Sequence, residues 1–238
     1  MLQDTTHNPL GSGVVVAKAI GAFWVATNQH VVDGQKHLCV VASNGRASRA
    51  LVMPPASSRS AAQLDLALLW WPSPSGTTQP VSNLQADLPK LHDLPLVVAS
   101  GYPIPSQVNQ KLPRYTEVSG LLLPLLQQPL QGGFSLAYTA EVQKGMSGGG
   151  VFLSNRLIGI NGTHPNPLWP GQWLHVDGRT VSSDLNAKLE LVALGIPASA
   201  IHQLIKSIKL PDLKDVAGLS EVKCNNEVDQ TVKGDTGW

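Results

Sequence analysis

The chain has 238 residues, a formal net charge of +1 and only 14% charged residues. With no basic stripe and no run of like charges, the composition excludes a nucleic-acid surface built on Lys and Arg, and equally an acidic or basic tail as a partner site. The length suffices for one all-β domain or two smaller units, with a substantial core either way.

Residues 1–8 are polar, with no basic segment ahead of an apolar one, so no signal peptide is predicted. The apolar stretch 14–26 is broken by Lys18 and Gly21 and is too short for a membrane span. From Gly11 onward, short apolar runs alternate with turn residues. Residues 13–19 and 22–27, rich in Val, Phe and Trp, flank Ile20-Gly21 and predict a hairpin. A strand at 38–42, the turn pair Asn44-Gly45 and a strand at 50–53 follow. Residues 54–60 predict a small-polar loop, 63–71 a strand closed by Pro72, and 72–80 a loop of Pro, Ser and Thr. Helical periodicity is hard to find in this half, which predicts a closed or nearly closed all-β unit.

After a linker-like stretch at 84–94, strands are predicted at 96–101, 115–123, 135–140, 151–153 and 157–160, with Asn155-Arg156 turning between the last two. Residues 164–171 carry three prolines and predict an exposed loop. Residues 182–188 fit a loop or a short helix, and 189–196 a strand leading into Pro197. The segment 198–208 is a helix by the spacing of Ile201, Leu204, Ile205 and Ile208, with Ser199 near its cap. Beyond Pro211 periodicity fades, which predicts a linker or tail to Trp238. The two cysteines, Cys39 and Cys224, lie far apart in unlike surroundings. They predict neither a disulfide framework nor a metal site and suit a reducing compartment, cytoplasmic if Met1 is the natural start.

Chemistry concentrates in Gly145-Met146-Ser147-Gly148-Gly149-Gly150. Glycine loses the most backbone freedom on folding, so such a cluster implies a backbone geometry other residues cannot reach. A loop whose amides converge beside a hydroxyl is one such geometry: a nucleophile next to its oxyanion hole. A serine hydroxyl needs a base to take its proton, and the base needs an orienting acceptor. His30 follows the end of a predicted strand, and Asp65 lies inside the apolar run Leu64-Asp65-Leu66-Ala67-Leu68. An aspartate among apolar residues is costly unless paired, and an imidazole N–H is a suitable partner.

The blocks Thr27-Asn28-Gln29-His30-Val31-Val32, Asp65-Leu66-Ala67-Leu68 and Gly145-Met146-Ser147-Gly148-Gly149 resemble the three signature blocks of trypsin-like serine peptidases of the chymotrypsin fold. Within that clan the chain is most similar to the bacterial HtrA/Deg-like branch and to simpler trypsin-like domains of cyanobacteria. Gly11-Ser12-Gly13-Val14-Val15, Gly101-Tyr102-Pro103, Leu157-Ile158-Gly159-Ile160 and Ala193-Leu194-Gly195-Ile196-Pro197 extend the likeness over roughly residues 9–210. The resemblance implies an all-β fold of two tandem six-stranded antiparallel barrels, at about 9–85 and 95–210, with a C-terminal helix, a flank at 1–8 and a polar tail at 211–238. It implies His30 as general base, Asp65 as its orienter, Ser147 as nucleophile, and the amides of Gly145 and Ser147 as oxyanion hole. The substrate is then a polypeptide cut through an acyl-enzyme, with no cofactor or metal.

Three departures bear on this. Trypsin carries an aspartate before the serine to receive its new N-terminus; Met146 stands here and cannot, so other packing must hold the hole. Gly150 stands where the family usually has proline, which predicts a looser loop. Glu141, six positions before the nucleophile, stands where the specificity pocket has its base and hints at basic residues. Ile160, Asn161 and Gly162 are predicted to pair with the substrate backbone, and Asn161-Gly162-Thr163 also reads as a glycosylation sequon. No PDZ-like module follows Leu210, so HtrA-style peptide sensing is not expected.

Two rivals remain open. An α/β-hydrolase would use Ser147, Asp184 and His202 in that order, but its elbow must run into a helix, whereas residues 151–160 read as strand, turn, strand. A non-catalytic peptide-binding module on the peptidase fold would tolerate Met146 and Gly150. His164, His175 and Asp177 lack metal-ligand spacing.

Overall fold

The computed structural model describes residues 1–54, 64–72, 81–86, 94–105, 113–165 and 171–224. Most of the loops predicted at 54–60 and 72–80, and parts of the 84–94 and 164–171 segments, lie outside them, as does the tail from residue 225. The first unit comprises β1 (Leu2–Gln3), β2 (Pro9–Gly11), β3 (Val14–Ala19), β4 (Ala22–Thr27), β5 (His37–Val41), β6 (Ala47–Val52) and β7 (Ala67–Pro72). These form a seven-stranded sheet in the order β2-β1-β5-β6-β7-β4-β3. This corrects the expected closed six-stranded barrel. The supposed flank at 1–8 supplies an extra strand, Leu2 pairing with Val40, and the edge strands β2 and β3 are not laddered together. Because only Ser12-Gly13 separates those edges in sequence, the sheet rolls back on itself and nearly closes. Turn chemistry acts as predicted at Gly21 (φ 68°) and Gly45 (φ 78°).

Successive side chains on a strand face opposite sides, and β4 uses both. Trp24 and Ala26 join one apolar cluster, Phe23 and Val25 another. In β7 and the residue just before it, Leu66 and Leu68 belong to the first cluster, Ala67, Leu69 and Trp71 to the second. Burial on both faces explains why these strands read as unbroken apolar runs. The two strands are antiparallel with Thr27 opposite Ala67. The end of β4 and the start of β7 therefore emerge side by side.

The second unit is a closed six-stranded antiparallel barrel, β10-β13-β12-β11-β8-β9. Its strands are β8 (Leu96–Gly101), β9 (Thr116–Leu123), β10 (Leu136–Tyr138), β11 (Gly150–Leu153), β12 (Arg156–Thr163) and β13 (Ala193–Pro197). The β11–β12 turn sits one residue earlier than predicted, on Ser154 (φ 47°) and Asn155 (φ 64°), the left-handed pair a tight hairpin requires. Residues 183–189 are helical (α1, Ser183–Leu189), capped by Ser182 accepting from the Leu185 amide, so the strand expected from 189 begins only at Ala193. Helix α2 (Ala198–Ser207) buries Ala198, Ile201 and Leu204; it starts after Pro197 with no side-chain cap, so Ser199 plays no capping part. The first apolar cluster crosses from Trp24, Leu66 and Leu68 to Phe134, Ile160 and Ile201 and joins the two units.

The C-terminal segment is the largest correction. Helix α3 (Leu213–Gly218) and a 3-10 turn (Leu219–Glu221) fold back on the first sheet and bury Leu219 and Val222. Lys36 pairs with Asp215 at 3.1 Å. Cys39 on β5 forms a disulfide with Cys224, their Cα atoms 5.7 Å apart. A separation of 185 residues hides such a contact from local reading. Disulfides persist in oxidising surroundings, so the cysteines give no support to a reducing compartment. Among the described residues no helix is long and apolar enough to cross a membrane.

Candidate active site

Asp65 lies in the bend just before β7, not inside the strand, and every polar atom it carries is engaged. Its amide donates to the Gly132 carbonyl of the second unit at 2.9 Å, and its carbonyl accepts from Asn28 Nδ2 at 3.0 Å. Oδ1 accepts the His30 amide at 2.9 Å, and Oδ2 lies 2.7 Å from His30 Nδ1. One carboxylate thus grips both the backbone and the ring of His30. A carboxylate on Nδ1 keeps the proton of a neutral imidazole there and leaves Nε2 as a lone-pair acceptor. The Asp65 side chain is 17% exposed and that of His30 51%, so the base faces solvent and its orienter does not.

The nucleophile loop reaches the same place. The Ser147 carbonyl accepts the Ser12 amide at 2.9 Å, and a Cβ on Gly11 would meet both Val31, next to His30, and that carbonyl (3.2 Å). The Ser147 hydroxyl donates to the Gly162 carbonyl at 3.2 Å. No hydrogen bond joins it to His30 in the structure; such contacts commonly tighten only once substrate is bound.

Four consecutive carbonyls of the loop are tied down. Lys144 accepts from the Ile104 amide (2.8 Å), Gly145 from Ser12 Oγ (2.7 Å) and Ser147 from the Ser12 amide (2.9 Å). Met146 accepts from the Gly149 amide (3.0 Å) and Asn161 Nδ2 (3.1 Å). A peptide group is planar and trans, so fixing each carbonyl aims the following amide the opposite way. The Met146, Gly148 and Gly149 amides donate to Gln143, Asn161 and Met146. Those of Gly145 and Ser147 meet no acceptor among the described residues. Two unpaired amides beside a hydroxyl can stabilise an anion. Gly145 needs its glycine for φ 94°. Gly149 needs its own because a Cβ there would collide with the Ser100 carbonyl.

The remaining expectations fare unevenly. Gly150 is buried as the first residue of β11, opposite Ile160, and the Phe152 ring fills the space beside it, so the loop is not loosened. Met146 is fully buried in the barrel core, its Sδ accepting the Gln143 amide at 3.5 Å. Glu141 is exposed. Ile160 and Asn161 are fully buried with neighbours on both flanks, Ile160 between Gly150 and Ile196, and no substrate strand can reach them. Beyond Asn161, among the described residues, no strand ladders with the β11 side of β12, where Gly162 is buried and Thr163 half-buried. The sequon is unusable: Asn161 Oδ1 accepts from Tyr138 Oη at 2.8 Å, and Nδ2 donates to Ser100 (2.8 Å) and Met146. Sequence reading missed Ser12, Asn28 and the internal role of Asn161. Their only signal was a small polar residue beside apolar strands, which is weak alone.

A family profile described as a trypsin-like peptidase domain matches residues 11–160. No curated protein matches the chain. A solved structure described as "HtrA-type protease AlgW with decapeptide" is similar, with a TM-score of 0.53 and 21% identity over 83% of this chain and 51% of that one. The chain thus spans about half the length of that structure. At that identity the likeness speaks to fold, and the tandem β units are chymotrypsin-like.

Proposed function

Since the chain belongs to the trypsin-like peptidase domain family, we propose that it is a serine endopeptidase acting through an acyl-enzyme. His30 is the general base, Asp65 its orienter and Ser147 the nucleophile. The observation that carries this reading is the Asp65–His30 pair at 2.7 Å beside a serine whose loop leaves two amides without acceptors among the described residues. A peptide strand pairs with the open flank at Gly162 and Thr163 and brings its scissile carbonyl oxygen to the Gly145 and Ser147 amides. Ser147 Oγ turns from Gly162 to His30 Nε2, which takes its proton as Oγ attacks the carbonyl carbon. Asp65 steadies the imidazolium without being protonated. His30 then gives the proton to the leaving amine, and water repeats the sequence on the ester.

The test is stopped-flow hydrolysis of p-nitrophenyl acetate. A burst of about one p-nitrophenol per protein, followed by slower turnover, is expected for an accumulating acyl-enzyme. The Ser147–Gly162 hydrogen bond favours one second reading, a peptide-binding module with an idle serine; retained peptide binding with no burst would select it.

Glu141 is exposed, and the proposal gives it no part in selecting basic residues. Cleavage-site profiling of Glu141→Gln on a peptide library is expected to give the wild-type preference, and a loss of Lys or Arg before the cut bond would return Glu141 to the pocket.

A further inference from the structure

Ser12 sits at the seam of the rolled first sheet, between its two edge strands, and is 1% exposed. A buried hydroxyl and amide at such a seam need only local partners, yet those of Ser12 reach across the molecule. Its amide donates to the Ser147 carbonyl at 2.9 Å, and its Oγ donates to the Gly145 carbonyl at 2.7 Å and accepts from the Tyr102 amide at 2.8 Å. Its own carbonyl accepts Thr27 Oγ1 at 2.8 Å, and Thr27 ends the strand that leads to His30. One residue therefore touches the backbone of both residues with free amides and the end of the strand that carries the base.

We propose that Ser12 is a positioning residue that registers the nucleophile loop against the base-bearing strand. The proposal rests on the peptidase reading above. Gly145 has no side chain to pack and sits at φ 94°, so its carbonyl is the handle by which the Gly145–Met146 peptide, between the two free amides, is held. Without Oγ that carbonyl is buried and unpaired, which is costly enough to make the peptide turn in search of a partner. Such a turn shifts the loop between Gly145 and Ser147 against the strand that leads to His30. The other side of the loop is held independently. Asn161 Nδ2 secures the Met146 carbonyl, and Tyr138 secures Asn161. Burial holds the Tyr138 phenol well above its ordinary range, so that donor persists at any working pH. The Lys144 carbonyl is held by the Ile104 amide, but among the described residues the Gly145 carbonyl has Ser12 as its one donor.

The test compares wild type with Ser12→Ala, Ser12→Thr and Thr27→Val by the acylation rate constant and saturation constant for p-nitrophenyl acetate, from pH 5 to 9. Ser12→Ala is expected to acylate about 10- to 100-fold more slowly, with saturation constant and pH midpoint unchanged because His30 and Asp65 are untouched. Ser12→Thr, which keeps the hydroxyl, recovers most of the rate. Thr27→Val, close in volume, slows acylation several-fold and decides the matter if Ser12→Ala does not fold. Wild-type rates in Ser12→Ala or in Thr27→Val, or a Ser12→Thr as slow as Ser12→Ala, would overturn the proposal. If wild type itself shows no acylation, the peptidase reading fails and the proposal falls with it; wild-type acylation with an unaffected Ser12→Ala removes the positioning role alone.

Discussion

Ser147→Ala is expected to reduce kcat for any peptide substrate by about 10⁴- to 10⁶-fold, with KM changed little. The substitution removes only the hydroxyl. The loop backbone, tied at Lys144, Gly145, Met146 and Ser147, keeps its shape. Substrate therefore still binds along Gly162 and Thr163, and the two free amides still polarise its carbonyl. His30→Ala and Ser147→Ala act on one unit, so the double variant is expected to be no slower than the worse single one. Asp65→Asn should cost about 10⁴-fold. An amide that donates toward His30 would displace the ring proton from Nδ1 to Nε2 and block the nitrogen that must accept from Ser147. The same variant also weakens the grip on the His30 amide, which Asp65 Oδ1 holds at 2.9 Å. Steady-state kinetics on a fluorogenic peptide checks all three. Additive losses in the double variant would contradict the shared mechanism.

Breaking the Cys39–Cys224 bond is expected to give a large loss of stability. The bond closes a separation of 185 residues, and a loop of that size restrains the unfolded chain strongly. Typical values of about 2–4 kcal/mol apply, or a fall in Tm of roughly 5–15 °C for a chain of this size. The folded state loses something too. Leu219 and Val222 are buried only while α3 and the turn after it stay on the first sheet, and the Lys36–Asp215 pair is too exposed to hold them. Calorimetry of the Cys39→Ala/Cys224→Ala protein against the oxidised wild type measures the difference. Equal Tm values would mean that the disulfide contributes nothing to stability.

The parts of the molecule that were legible in the sequence share a physical reason. Asn44-Gly45 and Ile20-Gly21 act locally, through left-handed backbone at glycine, and the apolar runs of β4 and β7 report burial on both faces. Asp65 and Ser147 stood out because each breaks a local rule, a carboxylate among apolar residues and a serine among glycines, and His30 because a serine nucleophile needs a base. What stayed hidden depends on long-range partners. Cys224 meets Cys39 only after the chain returns to β5, and Ser12 meets Gly145 only across the two units. Asn161 looked like a substrate contact because strand and sequon patterns do not reveal which flank of a strand is already occupied. Glu141 was placed by counting back from Ser147, and counting does not fix the path of a loop.

The most direct measurement of the central claim is intact-mass and peptide-map analysis after incubation with a fluorophosphonate. The account predicts one adduct, on Ser147, formed by the wild type and absent in His30→Ala and Ser147→Ala. A folded wild type that forms no adduct, or forms it elsewhere, would contradict an activated Ser147 and with it the proposed hydrolysis.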